Sequence, residues 1–195
     1  MNNQKKSEAF YHKSIRLKGY NYTSPGAYFI TICAYQKKCV FGRIINNEMH
    51  LNKFGKIVET EWIKTSEIKK NILLDEYVVM PNHFHGIIFI NNEYSAVEAT
   101  RRVASTKALP RLQSGSIGAI IGQFKSIITK QINTLRKTPG LPLWQRNYYE
   151  HIVRNDAELN RIREYIVNNP MQWEIDIENP DNTDRKTVKD YYSFS

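Results

Sequence analysis

His83 and His85 stand on either side of Phe84, within the apolar, β-branched run HFHGIIFI. That composition is the pattern of a strand. Alternate residues of a strand share a face, so both imidazoles point one way and Phe84 points into the opposite layer. Two imidazoles about 7 Å apart along a strand can hold one metal ion between them. The pair begins just after Pro81-Asn82, at the start of its strand, where water and substrate can reach. Spacing alone is modest support, because five histidines in this length give about 0.1 such pair by chance. Ile87 stands where a third alternate histidine would suggest a histidine-triad hydrolase. Two histidines seldom suffice for a metal, so a third ligand is expected from another element, as Asp, Glu, Asn or Gln.

The last helical segment offers Tyr165 and Asn169, spaced i and i+4 and therefore on one face. A free tyrosine has a pKa near 10 and attacks poorly at neutral pH. A metal that polarises a phosphate close to the phenol oxygen would help it attack. The same residues also read as an interfacial aromatic and as the end of a helix before Pro170. Tyr148 and Tyr149 are rival nucleophiles by type, but no amide is placed helically beside them.

The elements that must position these residues follow from periodicity and turn residues. Ala27–Tyr35 reads as a strand after the Pro25-Gly26 turn. Val40–Ile45 and Glu48–Leu51 flank Asn46-Asn47 as a hairpin. Asn52 caps a helix whose stripe is Phe54, Ile57, Val58 and Trp62. Glu76–Met80 is a short strand, and His83–Ile90 is a central strand covered on both faces. Residues 91–113 form a long polar loop. Ile117, Ile120, Ile121, Phe124, Ile128, Ile132 and Leu135 mark a second helix, stopped by Pro139-Gly140. Trp144–Val153 is extended, and Asn155 opens the last helix, with Glu158 as capping-box partner. The expected class is α+β, a ferredoxin-like antiparallel sheet with helices packed on it. The expected layout is a basic flexible arm at 1–24, one domain at 25–173 and a polar tail at 174–195.

Charge narrows the partner. The net charge is +9, and no Asp or Glu occurs between Ala99 and Tyr149. That stretch holds nine basic residues, including Arg101, Arg102, Lys125, Lys130 and Arg146, and the rest of the chain is neutral. A polyanion partner is the leading reading. Lys125 and Lys130 lie off the apolar stripe of their helix and are expected to face solvent or a ligand. No run of 18 apolar residues exists, so no membrane span is expected. The polar start MNNQKKSEAF lacks the apolar region of a secretory signal. Cys33 and Cys39, six apart, fit neither a disulfide scaffold nor a cysteine zinc site, and suit a reducing compartment.

Three separated motifs occur in order: MPNHFHGIIFI, WQRNYYEHIVRN and REYIVNNP. With GAYFIT, MHLNKFG and LDEYVVMPNHFH, they make the chain from about Gly26 to Trp173 resemble the single-tyrosine HUH transposases, especially the REP-associated tyrosine transposase branch. In that resemblance His83 and His85 match the metal-ligating pair. Tyr165 matches the nucleophile, and Asn169 stands where the family places an amide ligand, with Asn168 and Gln172 close by. His151 is assigned no catalytic role.

The resemblance implies metal-dependent cleavage and rejoining of single-stranded DNA at hairpin-forming palindromic ends. The cofactor would be a divalent ion, Mg²⁺ or Mn²⁺, and the intermediate a 5′-phosphotyrosine. The basic loop and helix would track phosphates, and Arg146, Tyr148 and Tyr149 would meet unpaired bases. The partner would be hairpin-forming repeat DNA, the site of action the cytoplasm at the nucleoid, and the protein a monomer or homodimer. The rival class is a catalytically silent nucleic-acid-binding descendant, which would need none of His83, His85 and Tyr165.

Overall fold

Along the chain come β1 (Gly26–Cys33), a hairpin of β2 (Gly42–Ile45) and β3 (Glu48–Leu51), and helix α1 (Lys53–Ile68). They are followed by β4 (Ile72–Val79), β5 (His83–Ile90), helix α2 (Ile117–Arg136), β6 (Tyr149–Val153) and helix α3 (Asp156–Asn168). A 3-10 stretch, Asn169–Ile175, continues from α3. This computed structural model describes residues 20–91 and 115–182. Arg101 and Arg102, most of the expected 91–113 loop, residues 1–19 of the arm and residues 183–195 of the tail lie outside the described residues.

Local signals account for most element ends. Asn46 and Asn47 both take positive φ, 50° and 65°, as a type I′ hairpin turn requires. The Asn52 side chain accepts from the Phe54 and Gly55 amides and starts α1. Asn155 accepts from the Glu158 amide and starts α3.

The strand order is β4-β5-β1-β6, with every pair antiparallel. With the β2–β3 hairpin set aside, the chain runs β1-α1-β4-β5-α2-β6, the ferredoxin-like arrangement expected from the sequence. β5 lies inside the sheet, with seven of its eight residues buried.

Strand alternation sorts the core into two layers. Tyr28, Ile30 and Ile32 of β1 and Phe84 and Ile88 of β5 face α1 and α2. Phe29 and Ile87 face the other way, onto Leu159, Ile162 and Ile166 of α3. His83 and His85 share the α3 face, so the helix carrying Tyr165 covers the histidine pair. Basic helix α2 lies across the sheet from it.

Gly86 keeps this packing closed. A Cβ there would come within 2.5 Å of the Trp62 ring and 2.9 Å of Phe84. Gly86→Ala is expected to destabilise the fold by about 1–3 kcal/mol through overpacking. A thermal melt against wild type reads the loss.

Three boundaries differ from the sequence reading. β4 starts at Ile72 rather than Glu76, because an irregularity between Leu74 and Tyr77 breaks the two-residue period. Tyr20 and Tyr22, expected in the arm, pack on the core, and the Ile117 amide donates to the Tyr22 carbonyl. Residues 174–182, expected as the start of a polar tail, are folded in. Asp176, Glu178 and Asn179 are buried, and Ile177 packs against the α3 layer. The Glu178 amide donates to Asp176 Oδ1, Asn179 Nδ2 donates to the Trp173 carbonyl, and the Glu178 carboxylate pairs with Lys37 at 3.2 Å. Among the described residues, no helix is long and apolar enough to cross a membrane.

Candidate active site

β5 presents both imidazoles on one face, with ring centroids 4.5 Å apart. Each is held at Nδ1. His83 Nδ1 lies 2.9 Å from Asn82 Oδ1, and His85 Nδ1 lies 2.8 Å from Thr31 Oγ1. Asn82 Nδ2 donates to the Lys37 and Glu178 carbonyls, which fixes the amide orientation. Its Oδ1 can only accept, so the His83 hydrogen sits on Nδ1 and its Nε2 carries a lone pair.

Two oxygens lie near that lone pair. His83 Nε2 is 3.3 Å from Asn169 Oδ1 and 3.8 Å from Asp176 Oδ2. Asn169 in turn donates from Nδ2 to Asp176 Oδ2 at 3.0 Å, so its own oxygen must face the imidazole. A nitrogen lone pair, an amide oxygen and a buried carboxylate converge, an arrangement that calls for a cation. His83, His85 and Asp176 each offer a ligand atom, all within 4.8 Å of one another. Burial lowers the pKa of His83, outweighing the opposing pull of Asp176. Burial and the neighbouring His83 push that of His85 well down. Both rings are thus neutral near pH 7, as metal ligation requires. This group can hold a metal ion.

Asn169, the expected amide ligand, is in the cluster. Asp176 was not anticipated, because it falls in the stretch expected to be tail. The apolar Trp173 and Ile177 around it were the available signal that this stretch folds back. Trp173 reaches the cluster, its ring 6.1 Å from that of His83. His83, His85, Asn169 and Asp176 are all fully buried.

Tyr165 stands at the edge of this group, half-buried. Its hydroxyl is 3.2 Å from His85 Nε2, and its ring meets Phe29 edge-on at 6.1 Å. Two contacts fix the helix that carries it. Arg163 forks onto Asp75 of β4, with Nε 2.9 Å from Oδ1 and NH2 on Oδ2. The Arg163 guanidinium beside Asp75 holds that carboxyl below its usual range. At the start of the helix, Glu158 accepts from the Arg154 amide and pairs with His151 at 2.7 Å. His151 thereby gains a structural partner. Glu158 closes onto Arg154 rather than completing a capping box with the Asn155 amide.

The remaining candidates are dispersed. Tyr149 lies on the α3 face against Phe29, at 6.2 Å, while Tyr148 packs toward the helix layer. Lys130 and Arg146 are exposed. Lys125 does not point freely to solvent. Its ammonium donates to the Gln145 and Arg146 carbonyls at 2.7 and 3.1 Å, and burial lowers its pKa to about 8. It is a tie between α2 and the 145–146 segment.

No protein-family model matches the chain. Its fold is similar to that of a REP-associated tyrosine transposase solved bound to a REP hairpin. The TM-score is 0.52 at 16% identity, covering 81% of this chain and 74% of that one. An uncharacterized protein of Haemophilus influenzae is 41% identical over 167 residues, 85% of this chain and 92% of that protein. At that identity and coverage, the chain belongs to the same protein family as the Haemophilus influenzae protein.

Proposed function

We propose that this protein is a metal-dependent transposase-type nuclease that cuts and rejoins single-stranded DNA at hairpin-forming palindromic ends. It would act through a 5′-phosphotyrosine on Tyr165, on nucleoid DNA in the cytoplasm. One observation carries the reading: the Tyr165 hydroxyl is 3.2 Å from His85 Nε2, beside a buried His–His–Asp group suited to a metal. The motif resemblance and the shared fold support it.

His83, His85 and Asp176 would hold the metal, with the Asn169 amide beside them. A bound Mg²⁺ or Mn²⁺ supplies charge neutralisation at a scissile phosphate. The Tyr165 oxygen attacks phosphorus. One O–P bond forms and the bond to the 3′-oxygen breaks, the phenol losing a proton and the 3′-oxygen gaining one. Because the new link is again a phosphodiester, a 3′-hydroxyl reverses the step without an energy source. Because the cluster is fully buried, a phosphate would reach it only as the packing around it opens.

The test is incubation with labelled hairpin DNA carrying a single-stranded flank, with Mn²⁺. A denaturation-resistant protein–DNA adduct that EDTA abolishes is the expected result. DNA binding with no adduct on any such substrate would favour the silent binding protein instead.

The Arg163–Asp75 fork yields a further expectation. Asp75→Ala or Arg163→Ala loosens the helix bearing Tyr165. A misplacement of about 1 Å at a reacting group can cost ~100-fold. Adduct formation is therefore expected to slow at least ~10-fold in either variant, with the metal-dependent gain in Tm retained. Equal losses in the single and double variants would identify the pair as one unit.

A further inference from the structure

α2 and residues 139–146 enclose a groove of about 840 Å³ on the sheet face away from Tyr165. Its lining has four basic side chains, Lys125, Lys130, Lys137 and Arg146, and no acidic one. Leu143 and Trp144 give it an apolar floor, and Thr129 and Asn133 add polar groups along α2. Trp144 is 6% exposed, and its indole N–H has no partner among the described residues. A groove with cations at the rim and an aromatic floor is built for phosphates outside and bases inside. Its volume suits a short segment of chain rather than a duplex, falling in the ~300–1,000 Å³ range of small-ligand pockets.

The groove is joined to the end of the sheet where the histidines begin. The Gln145 amide donates to the Cys33 carbonyl, and Trp144 bridges to Ala34. Cys33 pairs directly with His83. Two strand spacings, about 10 Å, therefore separate His83 from the groove wall. Lys125 holds that wall in place through the Gln145 and Arg146 carbonyls.

We infer that this groove binds the unpaired single-stranded DNA flanking the cleaved phosphate. A strand leaving the His–Tyr site would pass over the sheet end and seat a few nucleotides here. Trp144 and Leu143 would form the apolar floor under a base, and Lys130, Lys137 and Arg146 would meet phosphates. The inference rests on the function proposed above. It assigns flank binding to a place that neither the histidine cluster nor the pair Tyr148 and Tyr149 supplies.

The test measures binding of a labelled hairpin with and without a single-stranded flank, using the full-length protein. Two variants are compared with wild type. Lys130→Gln/Lys137→Gln/Arg146→Gln removes three charges, and Ser126→Trp fills the groove without changing charge. Wild type is expected to prefer the flanked hairpin at least tenfold, and both variants to lose that preference. In the triple variant the slope of log affinity against log salt should fall by roughly 2, at about 0.7 per single-strand phosphate contact. The gain in Tm on adding Mn²⁺ should be unchanged in both. If wild type forms the adduct yet both variants keep the flank preference, the groove is wrong and the function stands. An equal affinity of wild type for flanked and bare hairpins also overturns the groove. If wild type neither binds DNA nor forms an adduct, the function fails and the groove assignment fails with it.

Discussion

Asp176→Asn should uncouple the protein from its metal while leaving the fold intact. Asparagine keeps the shape and one acceptor oxygen but removes the negative charge from a fully buried carboxylate. That carboxylate lies 3.8 Å from His83 Nε2 and binds the Asn169 amide and the Glu178 backbone. Without a cation its charge is uncompensated, which is costly in the interior. With EDTA, the variant should therefore melt at or above the wild-type temperature. Metal at 100 times its Kd stabilises a folded protein by about 2.7 kcal/mol. For a domain of this size that is a rise of roughly 5–10 °C. Wild type should show the rise with Mn²⁺, and Asp176→Asn should lose it. Calorimetric titration should find binding more than ~100-fold weaker, since even an outer partner of a metal ligand is worth 10–100-fold. An undiminished rise in the variant would leave the Asn169 amide as the third ligand and give Asp176 a purely structural role.

Tyr165→Phe should abolish covalent chemistry without disturbing the site around it. The ring would keep its contacts with Phe29 and His85, at 6.1 and 5.2 Å, so the helix loses nothing but a hydroxyl. Among the described residues, no other tyrosine hydroxyl is recorded against the histidine pair. Of the described tyrosines, Tyr149 also packs on this face, but it sits on β6 opposite Thr31, with β1 between it and His85. Burial also raises the Tyr149 pKa, which makes its phenolate harder to form. Adduct yield in Tyr165→Phe should fall below detection, while DNA affinity stays within about twofold and the Mn²⁺-dependent Tm gain persists. Conversely, Tyr148→Phe and Tyr149→Phe should each retain the adduct.

What the sequence made legible is what local chemistry decides. The paired histidines needed only strand alternation. The helix starts at Asn52 and Asn155 needed only a capping side chain, and the Asn46-Asn47 turn needed two residues tolerant of positive φ. Resemblance then supplied Tyr165 as a partner for the histidines. The rest depended on distant contacts. Asp176 is acidic and sits in a polar stretch, and only its bonds to Asn169 and residues 178–182 explain its burial. Lys125 sits off the apolar stripe of α2, as the period said, but its carbonyl partners lie 20 and 21 residues away. Periodicity gave α2 a buried face without saying which side of the sheet would take it. In the structure α2 packs on the face opposite Tyr165, with the sheet between them.

The most direct test of the central claim is to find which tyrosine carries the DNA. Tryptic digestion of the denatured adduct separates the candidates, because cleavage after Arg163 places Tyr165 in one peptide and cleavage after Arg146 and Arg154 places Tyr148 and Tyr149 in another. Mass spectrometry should find the nucleotide remnant on the peptide beginning at Glu164. A remnant on the peptide beginning at Asn147, or an adduct that persists in Tyr165→Phe, would contradict the account.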